Sequence, residues 1–178
     1  MFLGGLKEKS ARRAIEKSIQ QRVRQADLPQ SFDLKNTVRI GLLLQEDDAV
    51  YESISQALRQ CFGQENSHID TVTYVSSWSK EKMSQENLIN ESLLGWRGVI
   101  KSSGLQTFVN TPFDVLLCYY PDLNTPLDLL ASKSKARLIV GIQEDALGLF
   151  DLVIHTKLSE VNVFVKELYR YLSILKIA

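Results

Sequence analysis

His155 and Lys157, Asp122 and Asn124, and the carboxylate run Glu46-Asp47-Asp48 are the side chains of this sequence best suited to chemistry. A histidine moves protons near neutrality, a lysine fixes an anion, and an Asp/Asn pair orients a polar ligand. Their spacing supplies none of the stronger signatures. The chain has no glycine-rich phosphate loop, no Cys/His cluster at metal-ligand spacing and no nucleophile elbow. No metal and no cofactor is expected, and the pattern leans against an enzyme without deciding the matter.

The elements that must position them are those of an α/β protein. Phe113-Asp114-Val115-Leu116-Leu117 and Phe150-Asp151-Leu152-Val153-Ile154 each place an Asp before a short apolar run. Such runs read as strands buried on both faces of a sheet. Strands are expected near 38–44, 69–75, 113–119, 137–142 and 151–156, with another short one near Trp96. Helices are expected from about Asp48 to a stop at Gly63, from Ser102 or Ser103 to Val109, from Thr125 to Lys133, and onward from an N-cap at Ser159. Thr125-Pro126 pairs an N-cap hydroxyl with proline at the first helical position. The expected fold is a mostly parallel, Rossmann-like or flavodoxin-like sheet of about five strands with flanking helices. One link resists this scheme. Only eight residues, Gln143 to Phe150, separate the last two strands, and a parallel crossover usually needs a dozen or more. Those strands are expected to be antiparallel neighbours or unusually joined.

Ligands of open α/β sheets bind outside the carboxyl ends of the strands. Glu46-Asp47-Asp48 follow the first strand, Asp122 and Asn124 the third, and His155-Thr156-Lys157 the fifth. The three acids occupy the place where a dinucleotide would need backbone donors and positive potential, which argues against a nucleotide cofactor. Their structural reading is an N-cap and a favourable charge at a helix start. Asp114 and Asp151 lie at the opposite, amino ends and are read as orienting the turns into their strands.

Charge divides the chain. Residues 1–25 carry seven basic residues and two acidic ones, and because the whole sums to zero the remainder carries −5. Residues 1–30 are read as a basic N-terminal helical arm and 37–178 as a single α/β domain. The narrow stripe Ala11, Ile15, Ile19, Val23 suggests an arm separable from the fold. The arm has three readings: packing onto its own domain, pairing with a protein partner or a second copy, and, more weakly, contact with an anionic surface. Arg12, Arg13 and Lys17 on it, and Trp96 on the body, are the contact candidates, although the plainer reading of Trp96 is that it covers one edge of the core. No aromatic residues interleave the basic ones, which argues against nucleic acid. No apolar stretch approaches the roughly 18 residues that span a membrane. Cys61 and Cys118 sit among apolar residues as core thiols, and a cytoplasmic location is expected.

Three resemblances bear on this reading. The acids after strand one and Lys157 after strand five are similar to a response-regulator receiver, but the phosphoacceptor Asp is missing, since strand three ends Cys118-Tyr119-Tyr120. From Trp96-Arg97-Gly98 through Phe113-Asp114-Val115-Leu116-Leu117, Ser134-Lys135-Ala136-Arg137-Leu138-Ile139-Val140-Gly141 and Asp151-Leu152-Val153-Ile154 to Tyr171-Leu172, the chain resembles a domain-of-unknown-function family of small Bacteroidetes α/β proteins. That resemblance carries over no catalytic residue. The order of Asp plus apolar strand, short helix and strand ending in Gly is also similar to the first domain of heptosyltransferase-like glycosyltransferases. Those enzymes hold the sugar nucleotide with a second domain, so the likeness implies a half-domain with a binding role. The expected function is a non-catalytic protein-interaction module. The alternatives are a small ligand-binding protein or enzyme using Asp122, Asn124, His155 and Lys157, and a peripheral binder of anionic surfaces.

Overall fold

The computed structural model describes residues 2–25, 34, 37–77, 87–144 and 147–175. Six parallel strands form one sheet: β1 (Val38–Gln45), β2 (Ser67–Tyr74), β3 (Leu88–Ile89), β4 (Val115–Tyr119), β5 (Leu138–Gly141) and β6 (Leu152–Val153), in the order β3-β2-β1-β4-β5-β6. This is the doubly wound order, whose topological switch point lies between β1 and β4. Among the described residues, five α-helices accompany the sheet: α1 (Phe2–Gln25), α2 (Asp48–Phe62), α3 (Ser103–Asn110), α4 (Thr125–Lys133) and α5 (Val161–Ile174).

The alternation of the strands assigns the layers. Ile40, Leu42 and Leu44 of β1 point into a core shared with α2 and α5. Leu43 of β1, Leu116 and Cys118 of β4 and Ile139 of β5 point into the opposite core, shared with α3 and α4. Every residue of β4 and β5 is buried, as the uninterrupted apolar runs require of a sheet covered on both faces.

Several local expectations change. A sixth strand, β3, is added at the β2 edge; at two residues it is too short for any apolar period to announce it. The expected strand near Trp96 is instead a 3-10 turn, Trp96–Gly98, beneath an isolated antiparallel bridge between Leu94 and Ile100. β5 and β6 are parallel, with Val140 opposite Leu152, so of the two expectations for this link the antiparallel one fails and the unusual joining holds. The link between them contains no helix among its described residues, so β6 is a short edge strand reached without a helical crossover. The cap of α4 is Asn124, whose Oδ1 accepts from the Leu127 N–H at 3.2 Å, and Thr125 is the first helical residue. Glu160, not Ser159, precedes α5 and makes no side-chain cap.

The two Phe-Asp starts do the same work. Asp114 N–H donates to the Arg39 carbonyl, and Asp114 Oδ2 accepts the Arg39 N–H, both at 2.9 Å. Asp151 N–H donates to the Ile139 carbonyl at 2.9 Å, and its Oδ2 accepts the Ile139 N–H at 2.7 Å. Each aspartate thus closes the amino end of the neighbouring strand at both backbone groups, which would otherwise be left unpaired. Beside each clasp, the preceding phenylalanine fills the space over a glycine two residues further along the neighbouring strand. A β-carbon on Gly41 would meet the Phe113 ring at 2.9 Å, and one on Gly141 would collide with the Phe150 ring.

The N-terminal helix lies against the body. Ala11 and Ile15 are buried, Ile15 within the core that contains α3 and α4. Near the other end, the Arg22 guanidinium donates to the carbonyls of Ala136 and Arg137 and to Asp151 Oδ2, the last at 2.7 Å. Val23, on which the sequence stripe also relied, lies outside the described side chains.

Candidate functional site

The switch point places the loop after β1 beside the loop after β4. In the first, Asp47 Oδ1 accepts the Val50 N–H at 3.1 Å and caps α2, as the structural reading of the acidic run expects. In the second, Asn124 is buried as the α4 cap, and its backbone N–H donates to Asp128 Oδ2 at 3.2 Å. Asp128, itself buried, also accepts the Tyr120 hydroxyl on Oδ1 at 2.8 Å. This is a capping box displaced by one residue: the cap side chain bonds forward and a carboxylate in the first turn bonds back. Burial pushes the Tyr120 hydroxyl far above its ordinary pKa, with Cys118 and Asp128 adding to it. Sequence reading missed Asp128. Its signal was the i, i+4 relation to Asn124 in a segment otherwise apolar up to Ser132.

The neighbouring hydroxyls are also engaged. Tyr119 OH donates to the Leu158 carbonyl at 2.9 Å, and burial, then Glu160, pushes its pKa up to about 12. Tyr74 OH donates to Glu91 Oε1 at 2.7 Å, and that bond to a carboxylate pushes Tyr74 up to about 12.

Of the four carboxyl-edge candidates, Asn124 is therefore a structural cap, while Asp122, His155 and Lys157 are exposed. His155 Nε2 stands 3.9 Å from Glu144 Oε1, both side chains largely in solvent. The Lys157 N–H donates to Glu160 Oε2. β5 separates the strand behind Asp122 and Asn124 from the strand behind His155 and Lys157, a gap of about 10 Å at two interstrand spacings. The four do not converge on one point. The Thr156 hydroxyl is buried with no partner among the described residues. No cluster of three or more potential metal ligands occurs among the described residues. A groove of about 340 Å³ runs along the outer face of α2, lined by residues that include Tyr51, Ser55 and Arg59; none of the sequence candidates lines it.

The partner candidates lie away from this edge. Trp96 is 57% exposed and Val99 56%, so Trp96 does not cover a core edge. Their turn is firmly seated. Leu94 and Ile100, its two legs, are buried. Gly95 N–H donates to the Val99 carbonyl at 2.6 Å and Arg97 N–H to Ser10 Oγ of α1 at 3.0 Å. Gly98, at φ +71°, sits so close to Ala14 and Leu129 that a β-carbon there would meet them at 2.7 and 3.0 Å. Arg97 occupies the left-handed region at φ 57°, a conformation costing a non-glycine residue ~1–2 kcal/mol and held only when surroundings enforce it. Arg12, Arg13 and Lys17 are exposed on α1, and the described ion pairs do not engage them. Among the described residues, no helix is long and apolar enough to cross a membrane.

The sequence pattern of a family of unknown function (DUF6913) matches residues 7–175. No curated protein and no solved structure matches the chain.

Proposed function

The chain belongs to this family of unknown function, and we propose that it is a non-catalytic protein-interaction module whose contact surface is the Trp96 turn together with the adjoining flank of α1. The observation that carries the reading is the exposure of Trp96 and Val99 on a backbone held in a strained conformation. Large apolar side chains held rigidly in solvent lose little entropy on contact, and tryptophan is prominent among residues that dominate binding energy. The carboxyl edge supports the same reading from the other side. Its buried polar groups Asn124, Asp128, Tyr119 and Tyr120 bond to one another or to backbone. Cys61 and Cys118 form no disulfide with each other, which suits a reducing compartment, and the proposed location is the cytoplasm.

A photocrosslinking amino acid in place of Trp96 or Val99, expressed in the native cell, tests this. A discrete protein adduct is expected from both positions and not from Lys166 on α5. Identical adduct patterns from all three positions would remove the reading.

One observation favours a second reading, a small polar ligand at the edge of β6: the partnerless hydroxyl of Thr156 beside His155. Chemical-shift changes confined to His155–Lys157 on titrating a metabolite mixture would support it.

A further inference from the structure

We infer that the partner segment taken by the Trp96 surface is a short acidic stretch of protein carrying a large apolar side chain. This rests on the interaction reading above and adds the chemistry of the partner.

The flank of α1 that meets the turn is basic. Ser10 bonds Arg97 and Ala14 abuts Gly98, so the turn lies along the Ser10/Ala14 side of the helix. Arg13 and Lys17 follow Ser10 by three and seven residues and share that flank. At about 100° per residue, Glu8 and Glu16 lie roughly 120° or more around the helix from Ser10. Arg97 and Lys101, on the turn and just beyond it, are both exposed. Arg97 and Lys101 beside Trp96 and Val99 in the chain, with Arg13 and Lys17 on the helix flank that meets the turn, thus form a basic bracket on this side of the molecule. Glu91, the nearby acid on the preceding 3-10 turn, accepts the Tyr74 hydroxyl.

The bracket fits an acidic ligand, and the rest of the molecule limits its size. The whole chain is neutral, and residues beyond 25 carry −5. A nucleic acid or an anionic bilayer presents charge over an extended surface and would meet that acidic body as well as the basic patch. A short peptide segment meets only the patch. Val99 points the same way: an aliphatic side chain as exposed as the tryptophan gains nothing from base stacking, but both pack around one apolar side chain.

Selection of a random dodecapeptide phage library on the full chain supplies the probe. Enriched peptides, resynthesised with a fluorescent label, are expected to hold several Asp or Glu around an aromatic or aliphatic residue. Their affinity should fall about thirtyfold in Trp96→Ala, the loss typical of a central anchor. It should fall at least fivefold in Arg13→Glu/Lys17→Glu, with weaker salt dependence. Circular dichroism on each variant confirms that the fold is kept. Peptides that depend on Trp96 but lack acidic residues would overturn this inference and leave the interaction reading standing. Peptides indifferent to Trp96, or no enrichment, would overturn both. Tighter Trp96-dependent binding of poly(U), of phosphatidylserine vesicles or of a second copy of the chain would replace the acidic peptide as the occupant.

Discussion

Arg22 and Asp151, 129 residues apart, meet at 2.7 Å where the N-terminal helix crosses the amino edge of the sheet. The same oxygen of Asp151 accepts the Ile139 N–H at 2.7 Å. One carboxylate thus fastens the edge strand β6 to β5 and α1 to both. Asp151→Ala should lower stability by ~2 kcal/mol, because it strips a part-buried strand N–H of its acceptor and the Arg22 guanidinium of one of its three. Arg22→Met should cost less, ~1 kcal/mol, since the Ile139 bond survives. Urea unfolding of the two variants and the double variant checks the coupling. Fully additive losses would mean that the two bonds act separately.

The clasp on the other strand pair predicts a steric result. Gly41→Ala and Gly141→Ala should each destabilise by about 1–3 kcal/mol, because the added methyl enters space held by Leu116 and Phe113 at Gly41 and by Phe150 at Gly141. Trimming Phe150 to Ala in the Gly141→Ala background should recover part of the loss, since Phe150 is only half-buried. Phe113 is fully buried, so the equivalent repair at Gly41 should fail. Thermal midpoints of the four variants decide it.

The architecture was legible where a physical signal repeats over several residues. Uninterrupted apolar runs gave the buried strands, and the helix-period stripes of α2 and α5 gave their inward faces. The Phe-Asp starts were visible as a repeat, but their function needs a partner strand that only the fold supplies. β3, two residues long, leaves no periodic trace, whereas β6 announced itself by its Phe-Asp start and apolar run, although only Leu152 and Val153 pair. At the candidate site the sequence ranked residues by type. Asn124 scored as a ligand although its amide is spent on a helix start, and Asp128 went unread because its partner Tyr120 lies across a loop. The basic helix looked separable because its stripe is narrow. Small residues such as Ala11 and Ala14 allow close approach, so a narrow stripe packs deeply enough to bury Ile15.

That packing reverses the expectation for truncation. Removing residues 1–25 should leave the second core open over Leu129 and remove Ile15, and the shortened chain should lose cooperativity. Ile15→Ala alone should cost ~2–4 kcal/mol. A truncated protein with an unchanged denaturant midpoint would restore the separable arm.

Alkaline stability follows from the tyrosines. Tyr119 and Tyr74 titrate at about 12 in the fold against an ordinary value near 10, and Tyr120 is raised further. A folded pKa above the unfolded one means that the unfolded chain releases its proton first. The contribution is complete below pH 10 and is lost as pH climbs from 10 through 12. Denaturant midpoints should fall in that window, and Tyr119→Phe should flatten the part due to Tyr119. A midpoint independent of pH up to 12 would contradict the burial of Tyr119 and Tyr120 and the bond from Tyr74 to Glu91.

The last prediction separates architecture from ligand binding at the carboxyl edge. Asn124→Asp should be nearly neutral in unfolding if the residue is a cap, because aspartate caps as well as asparagine, although it places a second carboxylate near Asp128. Asn124→Ala should cost ~1 kcal/mol. Asp128→Ala should cost more, ~2–4 kcal/mol, since it orphans the buried Tyr120 hydroxyl and the Asn124 N–H at once. Tyr120→Phe in the Asp128→Ala background should recover part of that loss by removing one of the orphans. The same series read by crosslinking at Trp96 should show unchanged adducts in every variant that stays folded. A loss of Trp96 adducts in folded Asn124→Ala would tie the two ends of α4 together and move the contact surface toward the carboxyl edge.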